Sequence, residues 1–231
     1  MKVLLSSFQL TQPILDHVAP ALREGDIDTC IEWTDRIFGM VPKSPFHIVR
    51  DLDFTTCPED TAKKFDEWVL SQEAVRSFGS TYTETNGFAH NAGRWYFNWF
   101  AYEAAGSADD FAYLGDGWIS EEHEDVVLTG MEALQMVFRT EWIDEEDFAR
   151  QICECQVVFK FMRLIQSVAA NMKQFRHPLV VSSHDWETFL RINPVPEQKA
   201  EQDGTGQPAT RPESDSEGGD KPQPESEERS R

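Results

Sequence analysis

The sequence predicts an α+β fold in which an antiparallel sheet packs against several helices. Three features of the chain support this prediction: strand-like and helix-like segments alternate, a long hairpin occupies about 80–103, and a long amphipathic helix covers about 144–172 near the C-terminus. Because a hairpin pairs its strands antiparallel, a doubly wound parallel sheet fits the pattern less well.

Caps, prolines and apolar spacing define the elements before the hairpin. Alternating apolar residues from Phe46 to Phe54 predict a strand. Thr56 as a cap and Pro58 in the first turn predict a helix that Gly79 ends. In chain order, the predicted elements are a strand over 2–7, helices over 12–23 and 27–38, the strand over 46–54 and the helix that follows Thr56.

The hairpin is the clearest signal in the sequence. Thr, Tyr, Phe and Trp are frequent in Ser80–His90 and in Arg94–Glu103, and Asn91–Gly93 joins the two runs. A three-residue link that ends in glycine is a common hairpin connection, because glycine takes the left-handed conformation. If His90 opposes Arg94, the residue numbers of every cross-strand pair add up to 184, and the side chains divide into two faces.

The two predicted faces differ in composition. One presents Trp95, Phe97 and Trp99 opposite small residues, as expected beneath a packed helix. The other combines rings, amides, a carboxylate and an imidazole, which are groups that ligand clefts and interfaces use. It carries the predicted binding residues Tyr82, Asn86, Tyr96, Asn98 and Tyr102 and the candidate catalytic residues Glu84 and His90, with Asn86 and Asn98 side by side.

Helical spacing dominates the chain after the hairpin. Ser120 is predicted to cap a helix over 121–138, and Asp144 is predicted to cap the long helix over about 144–172. A short strand over 178–182 and a helix from Ser183 to near Ile192 complete the predicted fold.

Composition changes abruptly at Glu197. From there to Arg231 only Ala200 and Ala209 are apolar, while Pro, Gly, Ser, Glu and Gln dominate. Such a segment buries too little surface to offset the entropy of ordering its chain. The sequence therefore predicts one α+β domain over 1–196 and a disordered acidic tail over 197–231.

The charge balance of the chain is strongly acidic. There are 41 acidic and 21 basic residues, which give a formal net charge of −20. This balance argues against nucleic acid as a partner, because phosphate contacts need a basic face. The first functional hypothesis is a binding module for a basic protein, in an inhibitor, immunity-like or adaptor role, since an acidic surface steers cationic partners at long range. Acidity that serves solubility alone is the alternative explanation.

A second hypothesis makes the same hairpin face an active site. Glu84 would act as the general base of a small-substrate hydrolase or transferase, and His90 is the alternative acid or base. Asn86, Asn98 and Tyr96 would position the substrate. No cofactor and no metal site is predicted, because the sequence lacks a glycine-rich phosphate loop and any metal-ligand spacing of its histidines. A third possibility is a subunit of a larger assembly, suggested by apolar surface at Trp33, Trp68, Trp118 and Trp142, and the sequence leaves the oligomeric state open.

The cysteines and the apolar runs predict a compartment. Cys30, Cys57, Cys153 and Cys155 show no disulfide spacing, and no apolar run is long enough to span a membrane. We therefore expect reduced thiols in a cytoplasmic protein. Cys57 precedes a predicted helix N-terminus, which favours a thiolate, but the acidic residues that follow it oppose ionisation and predict a structural role.

Overall fold

The computed structural model describes residues 10–88, 91–107, 110–120, 124–140, 147–184 and 186–194. The predicted α+β fold is confirmed: helices pack on a five-stranded sheet, and a long helix lies near the C-terminus. The helices are α1 (Thr11–Glu24), α2 (Ile27–Phe38), α3 (Pro58–Glu73), α4 (Glu132–Thr140) and α5 (Phe148–Asn171). The strands are β1 (Ser80–Thr85), β2 (Tyr96–Tyr102), β3 (Val126–Val127), β4 (Leu179–Ser183) and β5 (Trp186–Ile192). Helices α1 and α2 lie at their predicted positions. Helix α3 begins with Cys57 rather than Thr56 at its N-cap, and it ends at Glu73, before the predicted end at Gly79.

The sheet is mixed rather than wholly antiparallel. Its strand order is β3-β2-β1-β4-β5, with β1 antiparallel to β2 and parallel to β4. The parallel pair arises because the chain passes through the long α5 before it forms β4, and a helical crossover lets a chain re-enter a sheet in the same direction.

The hairpin is present, but its register differs from the prediction by two residues. Glu84 rather than Asn86 opposes Asn98, and the strand bounds leave a link longer than three residues. The Asn86 side chain closes this link, since it donates to the Arg94 carbonyl at 2.9 Å and accepts from the Tyr96 N–H at 3.1 Å. A turn forms at Asn91–Gly93 as predicted, where the Arg94 N–H donates to the Asn91 carbonyl at 3.2 Å, and the Asn86 side chain ties together the longer link around it.

A shift of two residues leaves each side chain on its predicted face, because the period of a strand is two. Trp95 and Trp99 are 0% and 1% exposed, so the prediction that the tryptophans face the core is confirmed. Trp99 meets Phe65 of α3 edge-on at 5.4 Å between ring centroids, and Phe97 meets Phe161 of α5 at 5.4 Å. Helices α3 and α5 therefore cover this face of the sheet.

The predicted strand over Phe46–Phe54 is wrong. Pro45–Asp51 forms a 3₁₀ helix, whose cap, Ser44, accepts a hydrogen bond from the Phe46 N–H. The buried side chains are Phe46 and Val49, and their separation matches the three-residue turn of this helix rather than the period of a strand.

The predicted helix from Ser183 to near Ile192 is also wrong. Ser183 ends β4, and Trp186–Ile192 form β5, which pairs antiparallel with β4. Thr188 and Leu190 are buried on one side of β5, as alternation in a strand requires. Pairing with β4 therefore outweighs the preference of Ser183 for a helix N-cap. The predicted strand over 178–182 is confirmed, because β4 covers Leu179–Ser183.

Helix α4 begins later than predicted. Val126–Val127 joins the sheet as β3, and the helix starts at Glu132. Ser120, the predicted cap, lies beside β2 instead, and its Oγ accepts a hydrogen bond from the Ala101 N–H at 3.0 Å. Helix α5 is capped by the carboxylate of Asp147.

Several predicted features lie outside the described residues, namely the strand over 2–7, His90, the cap at Asp144 and the tail over 197–231. Within the described ranges, no helix is both long and apolar enough to cross a lipid bilayer.

Lys160 of α5 is a buried cation. It is 4% exposed, and its Nζ donates to the carbonyl oxygen of Val49 at 2.8 Å and to that of Leu52. Both carbonyls lie at the end of the 3₁₀ helix, so the hydrogen bonds of Lys160 link that end to α5. Burial lowers the pKa of Lys160 below its ordinary value of 10.5, although the Asp53 carboxylate opposes the shift.

We expect Lys160→Met to destabilise the protein by about 1–3 kcal/mol, because the Leu52 carbonyl loses this donor while side-chain volume is kept. The pKa of Lys160 is lower in the folded state, so the unfolded state binds more protons as the pH rises toward 10.5, and the stability of the unsubstituted protein increases through that window. The stability deficit of the variant relative to the unsubstituted protein should therefore grow as the pH rises toward 10.5 in urea unfolding experiments. Lys43→Met, at an exposed position, is the control. A deficit that shrinks as the pH rises would contradict this expectation.

Candidate functional site

Three lateral rows of side chains cross the face of the sheet opposite α3 and α5, which is the face that the sequence predicts as the binding surface. Each row follows one register position across neighbouring strands. The buried row is Val180, Tyr82 and Phe100. The carboxylate row is Ser182, Glu84, Asn98 and Asp125. The outer row is His184, Asn86, Tyr96 and Val127.

The buried row belongs to a small aromatic cluster beneath a loop. Tyr82, Tyr102 and Tyr113 are all buried, and the last of them comes from the 3₁₀ helix Ala112–Asp116. Burial raises the pKa of Tyr102 to about 12, and it also raises the pKa of Tyr82, with the Glu84 carboxylate adding to both shifts. Two of the predicted binding residues, Tyr82 and Tyr102, are thus placed under the loop with protonated hydroxyls.

The loop that covers this cluster is held at its start by hydrogen bonds to β5. Arg191 of β5 donates from one guanidinium nitrogen to the carbonyls of Ala105 at 2.8 Å and Ser107 at 3.0 Å. Between them, Gly106 has a φ of +61°, and its Cα faces the Tyr113 ring so closely that an added Cβ would lie 2.5 Å from Cε1. Tyr82 and Val180 are therefore closed to solvent. Phe100, at the end of the buried row, is half-buried, and the other two rows are partly open to solvent.

Glu84 is the central carboxylate of the open part. Its side chain is 26% exposed, its Oε2 accepts from the Tyr82 hydroxyl at 2.8 Å, and its Oε1 lies 3.4 Å from Nδ1 of His184. These two contacts orient the carboxylate. The sequence did not predict the contact with His184, because β1 and β4 meet only through a crossover of about a hundred residues.

A second polar group surrounds Asp125 at the end of the carboxylate row. Its Oδ1 accepts from Asn98 Nδ2 at 3.3 Å, and its Oδ2 lies 3.2 Å from NH1 of Arg94. The Arg94 guanidinium lies 5.5 Å from the centre of the Tyr96 ring. Asp125 and Arg94 were not predicted as site residues: Asp125 was placed in the first turn of a helix over 121–138, and Arg94 was placed at the start of the second hairpin strand.

The predicted asparagine pair is corrected by the register. Asn86 lies diagonal to Asn98 rather than beside it, because Glu84 occupies the opposing position. The Asn86 amide bonds the backbone of the hairpin link, whereas the Asn98 amide reaches Asp125. Tyr96 is half-buried in the outer row.

A half-open groove of about 390 Å³ lies on the α3 side of the sheet, between α3 and the segment before β3, and it shares Asp125 with the carboxylate row. Three carboxylates and one amine line it together with an indole and a hydroxyl: Glu67, Glu124, Asp125, Lys64, Trp68 and Ser71. Lys63 reaches Glu67 at 3.9 Å, but both side chains are largely exposed and such a pair contributes little. The groove is therefore acidic, as the open rows are. Within the described ranges, no group of His, Cys, Asp and Glu is arranged to hold a metal ion.

Cys57 lies exposed at the start of α3, where its Sγ donates to Oε2 of Glu59 at 3.2 Å. The Asp60 N–H lowers the pKa of the thiol, but the hydrogen bond to Glu59, desolvation and the Asp60 charge together outweigh it and raise the pKa of Cys57. This thiol is poorly suited to be a nucleophile, as its acidic neighbours predict.

We expect Cys57 to react with iodoacetamide more slowly than free cysteine at about pH 8, because less of it is thiolate. Glu59→Gln should increase the rate, since it removes a charge that favours the thiol. Mass spectrometry of the Cys57 peptide measures the rate, and Glu67→Gln, further along α3, is the control. Equal rates in the unsubstituted protein and in Glu59→Gln would contradict the expectation.

These features define an α+β protein with a mixed sheet, one face of which is packed while the other carries an open, acidic and aromatic surface. Comparisons with protein-family models, with curated proteins and with solved structures find no match for the chain. Its function is therefore inferred from the chemistry of its own residues.

Proposed function

We propose that this protein is an acidic, non-catalytic binding module that engages a basic protein partner, in an inhibitor, immunity-like or adaptor role. The observation that carries the proposal is the excess of 41 acidic over 21 basic residues. In the described part of the chain, the exposed carboxylates are those of Asp16, Glu24, Asp26, Asp28, Glu32, Asp51, Asp53, Glu59, Asp60, Glu67, Glu103, Asp110, Asp116, Glu124 and Glu132.

Such a surface acts on a partner before contact. Its attraction extends over about 8 Å at physiological salt, and it increases the rate of encounter with a cationic surface. It also repels nucleic acid, whose phosphates carry the same sign of charge. The open rows of the sheet then offer rings, amides and carboxylates for direct contact, a combination that suits an interface.

The test is the salt dependence of binding to a defined cationic probe. We expect fluorescein-labelled hexa-arginine to bind the full chain in fluorescence anisotropy, with an affinity at least about tenfold weaker at 300 mM than at 50 mM NaCl. Labelled hexa-glutamate is the control and should not bind. A hexa-arginine affinity that is independent of salt, or no binding at low salt, would overturn the proposal.

We also place the protein in the cytoplasm. The four cysteines are free thiols, and Cys30, Cys153 and Cys155 are buried. Burial raises the pKa of Cys30 to about 11 and also raises that of the other two, so these thiols stay protonated and inert. Buried free thiols suit a reducing compartment. Microscopy of the tagged full chain tests this placement.

A second candidate function is favoured by the contacts of Glu84. A carboxylate oriented by Tyr82 and adjacent to His184 has the arrangement of a general base in a small-substrate hydrolase or transferase. Asn98 is the cross-strand neighbour of Glu84, and Tyr96 lies in the adjoining row, so both are placed to position a substrate.

Turnover of p-nitrophenyl acetate and p-nitrophenyl phosphate tests this second candidate. If Glu84 is the base, Glu84→Gln should lower turnover by about 100-fold without a change in thermal unfolding. Glu24→Gln, which removes one exposed carboxylate from α1, is the matched control. Undetectable turnover by the unsubstituted protein, or equal turnover by both variants, would remove the catalytic role of Glu84.

A further inference from the structure

The open part of the sheet face contains aromatic and apolar surface that the fold does not cover. Trp118 is 54% exposed, and its ring lies 5.0 Å from that of Phe100, which is half-buried. On the other side of Asn98, Tyr96 is half-buried and Val127 is exposed. We call Tyr96, Phe100, Trp118 and Val127 the open aromatic surface. An exposed tryptophan backed by a second ring is the kind of group that dominates binding energy at interfaces.

Carboxylates lie beside these rings. Glu84 opposes Asn98 across the strand pair, which makes it the diagonal neighbour of Phe100. Asp125 lies at the other side of Asn98. Asp116, which precedes Trp118 in the loop, is exposed. A ligand that rests on the Phe100 ring therefore lies beside Glu84 in the register of the sheet.

The chain contains an arginine bound in this manner. The Arg94 guanidinium is paired with Asp125 at 3.2 Å and lies over the Tyr96 ring at 5.5 Å from its centre. A planar guanidinium can pair with a carboxylate and stack on a ring at the same time, whereas a lysine ammonium is more strongly hydrated and acts as a point charge. The surface around Trp118 and Phe100 also places rings beside carboxylates, and within the described residues Arg94 over Tyr96 is the only cation–π contact.

We propose that the open aromatic surface docks an arginine-bearing segment of the basic partner, with Trp118 as the anchor. This inference rests on the proposed function and adds to it both a location and a side-chain preference. The arginine stacks on the indole, and its charge is balanced by the neighbouring carboxylates, of which Glu84 is the nearest to Phe100 in the register.

The experiment compares two peptides of equal charge. Labelled hexa-arginine and hexa-lysine are titrated against the full chain by fluorescence anisotropy at about 50 mM NaCl. We expect hexa-arginine to bind at least about fivefold more tightly than hexa-lysine. Trp118→Ala should weaken the binding of hexa-arginine by about tenfold, so that the two peptides bind with similar affinities.

Matched variants separate docking from general charge attraction. Met40→Ala removes an exposed apolar side chain elsewhere and should leave both affinities unchanged. Glu84→Gln and Glu24→Gln change the net charge equally, but only Glu84→Gln should weaken the binding of hexa-arginine severalfold. Far-UV circular dichroism of each variant verifies that it is folded.

The outcomes distinguish the two proposals. Equal affinity for the two peptides, or equal effects of Trp118→Ala and Met40→Ala, would overturn the role of Trp118 and leave attraction by net charge alone. Failure of both peptides to bind at low salt would overturn the proposed function itself.

Discussion

Replacing Trp99 with alanine is expected to destabilise the protein by about 3–5 kcal/mol. Trp99 is 1% exposed, and its ring centroid lies 5.4 Å from that of Phe65 and 6.2 Å from that of Trp68. Truncation removes the contacts of β2 with α3 and leaves a cavity that the neighbouring rings fill only in part. Urea unfolding followed by far-UV circular dichroism measures the loss.

Trp118→Ala is the matched control for this substitution. It removes the same side chain from the opposite face of the sheet, where the indole is 54% exposed. We expect it to change the free energy of unfolding by about 1 kcal/mol or less, because most of that surface is already in contact with water. Similar losses in the two variants would show that the faces of the hairpin are assigned incorrectly.

Gly106→Ala is expected to destabilise the protein by about 2–5 kcal/mol. The φ of +61° at this position is strained for alanine, and the added Cβ would overlap the Asp110 carbonyl oxygen and the Tyr113 ring. The loop must then move away from the sheet, which exposes Tyr102. Because burial holds the pKa of Tyr102 at about 12, the opened loop should lower that pKa toward 10, and ultraviolet titration of the tyrosines detects the change.

Gly115→Ala provides the control within the same loop. An added Cβ at Gly115 meets nothing within 4 Å, and the backbone there has no left-handed φ. We expect the substitution to be neutral or to stabilise by up to about 1 kcal/mol, since alanine restricts the unfolded chain. Equal destabilisation by both substitutions would indicate that the loop does not cover the aromatic cluster in the way described.

The assignment of side chains to sheet faces could be predicted from the sequence because it depends on a local period. Trp95, Phe97 and Trp99 alternate along the chain with Tyr96, Asn98 and Phe100, and an error of two residues in register leaves that alternation intact. For the same reason Glu84 and Asn98 were predicted on one face, although their direct opposition was not. The length of the hairpin link was mispredicted, because the side chain of Asn86 supplies bonds that no turn pattern reveals.

The remaining parts of the site depend on contacts between distant segments. His184 reaches Glu84 only because β4 returns beside β1, and Asp125 reaches Asn98 only because β3 adds to the edge of β2. The strand β5 was predicted as a helix because its backbone hydrogen-bond partners lie in β4, and the sequence of β5 does not indicate that pairing.

Local periodicity and composition were thus enough to establish the α+β class, the buried tryptophans and the acidic character of the chain. Three-dimensional packing alone decided which rows of the sheet are covered, which carboxylate meets which base, and where rings stay open to solvent. The physical reason is that helix and strand periods are set by neighbouring residues, whereas coverage and pairing are set by the loop over Tyr102 and by strands that meet across long crossovers.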